Sequence, residues 1–250
     1  MWRSVVLPAM IAAFIVAGTV YSEVHMSTFA TLPFPVQVAK VMTGLLGIVA
    51  PLLAAVNAFH ARREKRDKDA QTTLLAALVK IAAKAKVAVE SVGLHAYVVQ
   101  RPFPWIGQVR QKRIARIRLS SHPPPSTIEW VKGKGYIGAC WEDDAWADFE
   151  FDRVYAGYTR CASAAEWARV PAKLRFGLTF QEWKNSRVYR LVRVYPIHVK
   201  RSDGRHKYAG CISLDTISDA SVAPLLSDEV RGYMAQAAET VAVALTTMDS

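Results

Sequence analysis

Residues 5–21 (VVLPAMIAAFIVAGTVY) and 41–59 (VMTGLLGIVAPLLAAVNAF) carry no charged side chain. Coiled into a helix at 1.5 Å per residue, the first would extend about 26 Å, close to the hydrocarbon thickness of a bilayer. Each run is therefore expected to be a transmembrane helix, and together they would make a hairpin. Pro8 falls in the first turns, where a missing N–H matters least, and Pro51 would kink the second span. Lys40 at the outer end of the second span can snorkel toward headgroups. Arg62, Arg63, Lys65, Arg66 and Lys68 follow that span directly, whereas residues 22–37 hold neither Lys nor Arg. The positive-inside rule then puts both ends in the cytoplasm. The expectation is a multi-pass protein of the bacterial inner (cell) membrane, with the lipid bilayer as its first partner. A cleaved signal peptide over residues 5–21 is the competing reading, since Arg3, a short apolar core, Ala17 and Gly18 also fit that pattern.

The chain has 250 residues. Beyond the two apolar runs, roughly 190 remain, enough for one domain and a connecting helix. Cys140, Cys161 and Cys211 are odd in number and widely spaced, with no CxxC pair and no neighbouring His at ligand spacing, which argues against a disulfide scaffold and a structural zinc site. A formal net charge of +11 favours anionic surroundings: lipid headgroups, nucleic acid or phosphorylated ligands.

Between residues 61 and 92 there is no Pro or Gly, and Leu74, Leu78, Ile81, Ala85, Val89 and Val92 recur at spacings of three and four. That is a helix with one apolar stripe. Leu226, Val230, Met234, Ala237, Val241 and Leu245 repeat the pattern near the other terminus. The stripes need burial, against the domain's own sheet or against a second copy. Residues 94–100, 113–120, 189–199 and 208–214 are β-branched or aromatic runs that read as strands, and Asp203-Gly204 between the last two marks a hairpin turn. The domain is α+β with an antiparallel sheet flanked by amphipathic helices. The expected organisation is a transmembrane hairpin over 1–60, a linker or signalling helix over 61–92, and a sensor domain over 93–250.

Two local sequences carry a family resemblance. GKGYIGACWED, residues 133–143, looks like a glycine-rich turn opening a short helix, and VRVYPIHVKRSDGRHKYAGCISLDT, residues 192–216, looks like a final strand pair ending Gly-x-hydrophobic-Ser-hydrophobic-Asp. Both resemble the GAF family of small-molecule sensor domains, over about residues 74–245. The resemblance implies a pocket over one sheet face, roofed by the variable middle segment, and dimerisation through terminal helices. Family ligands include cyclic nucleotides, bilins, haem and small metabolites. The signature of cyclic-nucleotide-binding members has no recognisable counterpart here, and Cys161 precedes Ala162 rather than the His usual beside a bilin-bearing cysteine. Read as a dinucleotide motif, the glycines lack a preceding strand and a βαβ unit.

Six basic residues and no acid lie between Arg101 and Arg118. In a regular strand, Arg110, Lys112, Arg116 and Arg118 share one face. A second basic stretch holds Lys184, Arg187, Arg190 and Arg193, and the middle segment is rich in aromatics, among them Tyr155, Tyr158 and Trp183. Guanidinium groups suit phosphate and aromatic rings suit stacking, so the expected ligand-binding residues are Arg116, Arg118, Trp183, Tyr155, Tyr158 and Arg193. The alternatives are a solvated or lipid-facing basic strand and an aromatic core. The ligand class is small and anionic, a nucleotide among the candidates, and nucleic acid is not the expected partner. The cysteines with His198 as base have no motif that brings them together, so no catalytic residue, metal or cofactor is assigned. These features suggest a membrane-anchored ligand-binding sensor or regulator in signal transduction, acting as a homo-oligomer, at least a dimer. The rival is an effector of a nucleotide-signalled antiviral (antiphage) defence system, whose hairpins oligomerise and disrupt the membrane.

Overall fold

The computed structural model describes residues 33–100 and 107–246. The chain divides into two compact units between Lys65 and Arg66. In the first unit the described residues after Pro33 belong to helix α1 (Phe34–Ala85). The apolar run at 41–59 is a part of this helix, which continues unbroken from Phe59 into His60, Arg62, Arg63 and Lys65. Among the described residues no helix is long and apolar enough to cross a membrane. This corrects the expected transmembrane hairpin, and the multi-pass inner-membrane placement falls with it. Residues 5–21, the other expected span, lie outside the described residues.

The second unit is α+β around a five-stranded, wholly antiparallel sheet. Its strands are β1 (Val92–Gln100), β2 (Arg110–Ile117), β3 (Ala147–Glu150), β4 (Leu191–Lys200) and β5 (His206–Thr216), in the order β2-β1-β5-β4-β3. The hairpin expected at Asp203-Gly204 joins β4 to β5, with Gly204 at φ +79° and Arg201 N–H donating to Arg205 O at 2.9 Å. The linker helix ends sooner than its periodicity suggested. α1 stops at Ala85, Lys86 turns to φ +54°, and after a 3₁₀ turn at Val89–Ser91 the last residue of the stripe, Val92, opens β1.

Alternation along the strands divides the sheet into two faces. On one, Val92, Leu94, Ala96 and Val98 of β1, Leu191 and Ile197 of β4, and Ile212 and Leu214 of β5 meet the stripe of α1. That stripe is Ala70, Leu74, Ala77, Leu78 and Ile81. The short helix α7 (Val222–Leu225) leads to the last helix, α8 (Asp228–Thr246), which adds Val230, Met234, Ala237 and Val241 to the same core. Each fully buried Val, Leu, Ile or Met side chain here contributes about 1.5–3 kcal/mol.

The opposite face carries the middle segment as short helices: α2 (Gly135–Asp143), α3 (Phe151–Val154), α4 (Ala164–Arg169), α5 (Ala172–Arg175) and α6 (Phe180–Ser186). Pieces this short depend on caps and packing rather than on propensity. Thr179 and Glu182 form a capping box at the start of α6, Glu182 N–H donating to Thr179 Oγ1 at 3.2 Å and Thr179 N–H to Glu182 Oε2 at 2.8 Å. Trp167 stacks on Trp183 with ring centroids 4.7 Å apart, and its Nε1–H donates to Leu178 O at 3.0 Å. The glycine-rich turn opens α2, with Gly133 and Gly135 both at positive φ.

Candidate anion-binding site

The sequence VGLHAYV at the start of β1 sends Val92, Leu94 and Ala96 toward the helices, and so Gly93, His95 and Tyr97 toward the middle segment. Cross-strand pairing builds rows on that second face. Gly93 stands opposite Asp215 of β5, His95 between Ser213 of β5 and Arg116 of β2, and Tyr97 between Cys211 and Arg113.

Three arginines share this face because β2 is not regular. Ala96 pairs with Ala115 but Tyr97 pairs with Arg113, so Ile114 is passed over in a bulge that inverts the alternation. Arg113 thereby joins Arg116 and Arg118, while Arg110 and Lys112 pair with Gln100 and Val98 and leave the group. The expected face of Arg110, Lys112, Arg116 and Arg118 is corrected to Arg113, Arg116 and Arg118.

Gly93 makes room for the side chain that crosses it. A Cβ there would fall 2.6 Å from Arg118 Nη2 and 2.8 Å from its Nε, so the guanidinium rests directly on the bare backbone. From that position Arg118 Nη2 donates to Asp215 Oδ1. The other carboxylate oxygen, Oδ2, lies 2.8 Å from His95 Nε2. His95 and Asp215 are each only 4 % exposed, and the Arg118 side chain is 1 % exposed. Burial first, then the positive charges of Arg113, Arg118 and Arg116, push the His95 pKa from its ordinary 6.5 down to about 3. The ring is neutral at physiological pH. A neutral imidazole facing a carboxylate carries its proton on the near nitrogen, so Nε2–H donates to Asp215 and Nδ1 is left as an acceptor.

Two buried polar atoms of this cluster have no hydrogen-bond partner: His95 Nδ1 and Arg118 Nη1. Arg116 Nη2 donates to Pro123 O at 2.7 Å, a neutral partner that leaves its charge uncompensated. Tyr189, just ahead of β4, borders the arginines. Burial raises its phenol pKa, while Arg118, Arg116 and Arg113 oppose that rise. Three guanidinium groups against one carboxylate leave a formal surplus of two positive charges, with Arg118 paired to Asp215 and buried and Arg113 and Arg116 half-buried.

The other expected ligand contacts are distributed elsewhere. Arg193 points to the helix-covered face, where it is 2 % exposed. Its Nε and Nη2 hold Asp148 at 2.6 and 3.1 Å, and its Nη1 donates to the carbonyls of Leu225 and Ser227 at 2.5 and 3.1 Å. Tyr155 and Trp183 are fully buried in the aromatic core, with centroids 6.1 Å apart, and Tyr158 packs at its margin. Sequence reasoning brought Arg116 and Arg118 together and missed Arg113, His95, Asp215 and Gly93. The available signal was the period-two pattern of GLHAYVV, which sets His95 on Tyr97's face.

Cys140 and Cys211 are buried, burial pushes the Cys211 thiol well above its ordinary range, and His198 Nε2 lies 2.6 Å from Asp144 Oδ1. Among the described residues no group of three or more His, Cys, Asp or Glu is arranged to hold a metal ion. No family model, curated protein or solved structure matches this chain.

Proposed function

We propose that the second unit is a ligand-binding sensor or regulatory domain whose ligand is a small anion held by Arg113, Arg116 and Arg118. The observation that carries this reading is the buried, unpartnered Arg118 Nη1, together with the surplus of cationic charge that the half-buried Arg113 and Arg116 add beside it. A buried guanidinium atom without a partner is costly, and an oxyanion supplies the missing acceptor with charge-assisted bonds. One part of what the GAF resemblance implies adds support: the variable middle segment lies over one face of the antiparallel sheet.

An output route starts one residue from the site. Thr216 follows Asp215, and its hydroxyl donates to Ser91 O at 2.9 Å, in the junction between α1 and β1. Anion binding that redistributes the Arg118–Asp215 pair would bias that junction, shifting a population between two arrangements of the helix face. Calorimetry of the full chain against phosphate, linear nucleotides and cyclic nucleotides tests the binding. Arg116→Ala and Arg113→Ala are each expected to weaken the tightest anion roughly tenfold to hundredfold. If no anion of the panel binds, or if both variants bind as tightly as wild type, the reading is wrong.

A further inference from the structure

We infer that the arginine cluster selects an oxyanion that still carries a proton, namely hydrogen phosphate or the monoanion of a phosphate monoester, and discriminates against sulfate. This deepens the anion-binding reading and rests on it.

One atom of the cluster discriminates among oxyanions. Arg113, Arg116 and Arg118 present only donors, and any oxyanion satisfies them. His95 Nδ1 is the exception. It is buried and unpartnered, and the neighbouring Nε2–H···Asp215 bond fixes the tautomer that makes it an acceptor. The ring cannot readily reverse that assignment by taking a second proton, because burial and the three arginines hold it neutral. An acceptor lone pair inside a cationic cluster calls for a ligand that brings one hydrogen of its own. Hydrogen phosphate has anionic oxygens for the guanidinium groups and a P–OH for His95. Its double negative charge also equals the surplus of three arginines over Asp215.

Sulfate is the informative competitor. It has the same tetrahedral shape and the same charge at neutral pH, but every oxygen is a bare acceptor. Against His95 Nδ1 it would place lone pair against lone pair, which leaves a buried polar atom unpaired and introduces repulsion. Sites built to hydrogen-bond a hydroxyl reject analogues that lack it more strongly than sites that recognise shape alone.

The test is calorimetric titration of the full chain with sodium phosphate and with sodium sulfate at pH 7 and matched ionic strength. Phosphate is expected to bind at least about tenfold tighter than sulfate. His95→Phe keeps a planar ring but removes the acceptor, and should bring the two dissociation constants within about twofold of each other. Arg116→Ala should weaken both anions by a similar factor and preserve the preference. Should His95→Phe fail to fold, the wild-type ratio decides on its own. Sulfate binding as tightly as phosphate to wild type would overturn the protonated-anion inference and leave the anion site standing. Failure of both anions and of the whole nucleotide panel would overturn the site itself.

Discussion

The two faces of the sheet solve burial in different ways. Against the helices the strands present Val, Leu, Ile and Ala, and a buried charge there, Arg193, has its donors directed to Asp148 and two carbonyls. Against the middle segment they present His95, Tyr97, Ser213 and Asp215, and polar atoms there are left without partners. A side chain whose hydrogen bonds are complete contributes to holding the fold. One that is buried and incomplete costs stability, and the cost makes sense where something else is meant to bind.

Removing Arg193 should break the comparison most severely. It is equally buried but fully engaged, so Arg193→Ala leaves Asp148 and the carbonyls at Leu225 and Ser227 without their cation. Urea unfolding is expected to show a loss of about 3–5 kcal/mol. The fraction that remains folded should bind anions as wild type does, since Arg193 lies on the other face. A cost under about 1 kcal/mol would mean that this network does not anchor the helix face.

A smaller effect separates the faces by pH. His95 is neutral when folded, with a pKa near 3 against its ordinary 6.5. Between those values the unfolded chain takes up a proton that the folded chain does not. The contribution is therefore fully present above about pH 6.5 and is lost as pH falls toward 3, at up to about 1.4 kcal/mol per pH unit. Unfolding free energies measured from pH 7 to pH 4 should fall less steeply in His95→Phe than in wild type. Equal slopes would show that His95 takes up its proton alike in the folded and unfolded chain.

The smallest expected change sharpens the bulge. Arg110 is on the same strand as the cluster but on the wrong side of Ile114, and pairs in solvent with Glu129 at 2.5 Å. Arg110→Ala should alter stability by less than about 1 kcal/mol and leave anion affinity unchanged. A loss of affinity matching that of Arg113→Ala would contradict the inverted register.

Much of the second unit was legible without coordinates. The two amphipathic helices follow from apolar residues at spacings of three and four, the four longer strands from β-branched runs, and the hairpin from Asp203-Gly204. β3 was not legible, because its ADFE is short and acidic and becomes a strand only through pairing with β4, where Asp148 stands opposite Arg193. The apolar run at 41–59 was expected to be a helix of its own, whereas it is one stretch of the 52-residue α1, and no described helix is long and apolar enough to cross a membrane.

What the sequence determined by itself is therefore the set of elements whose cause is local: periodicity, turn chemistry, and the arginine-rich composition of one strand. Only the tertiary structure decided which of those arginines meet. One passed-over residue, Ile114, reverses the side on which every earlier residue of β2 projects, and no feature of the segment's composition announces it. The pairing of His95 with Asp215 joins residues 120 positions apart, so it exists only once β1 and β5 lie side by side. The neutral ring and its unpartnered nitrogen are likewise products of the burial and neighbouring charges that this assembly creates.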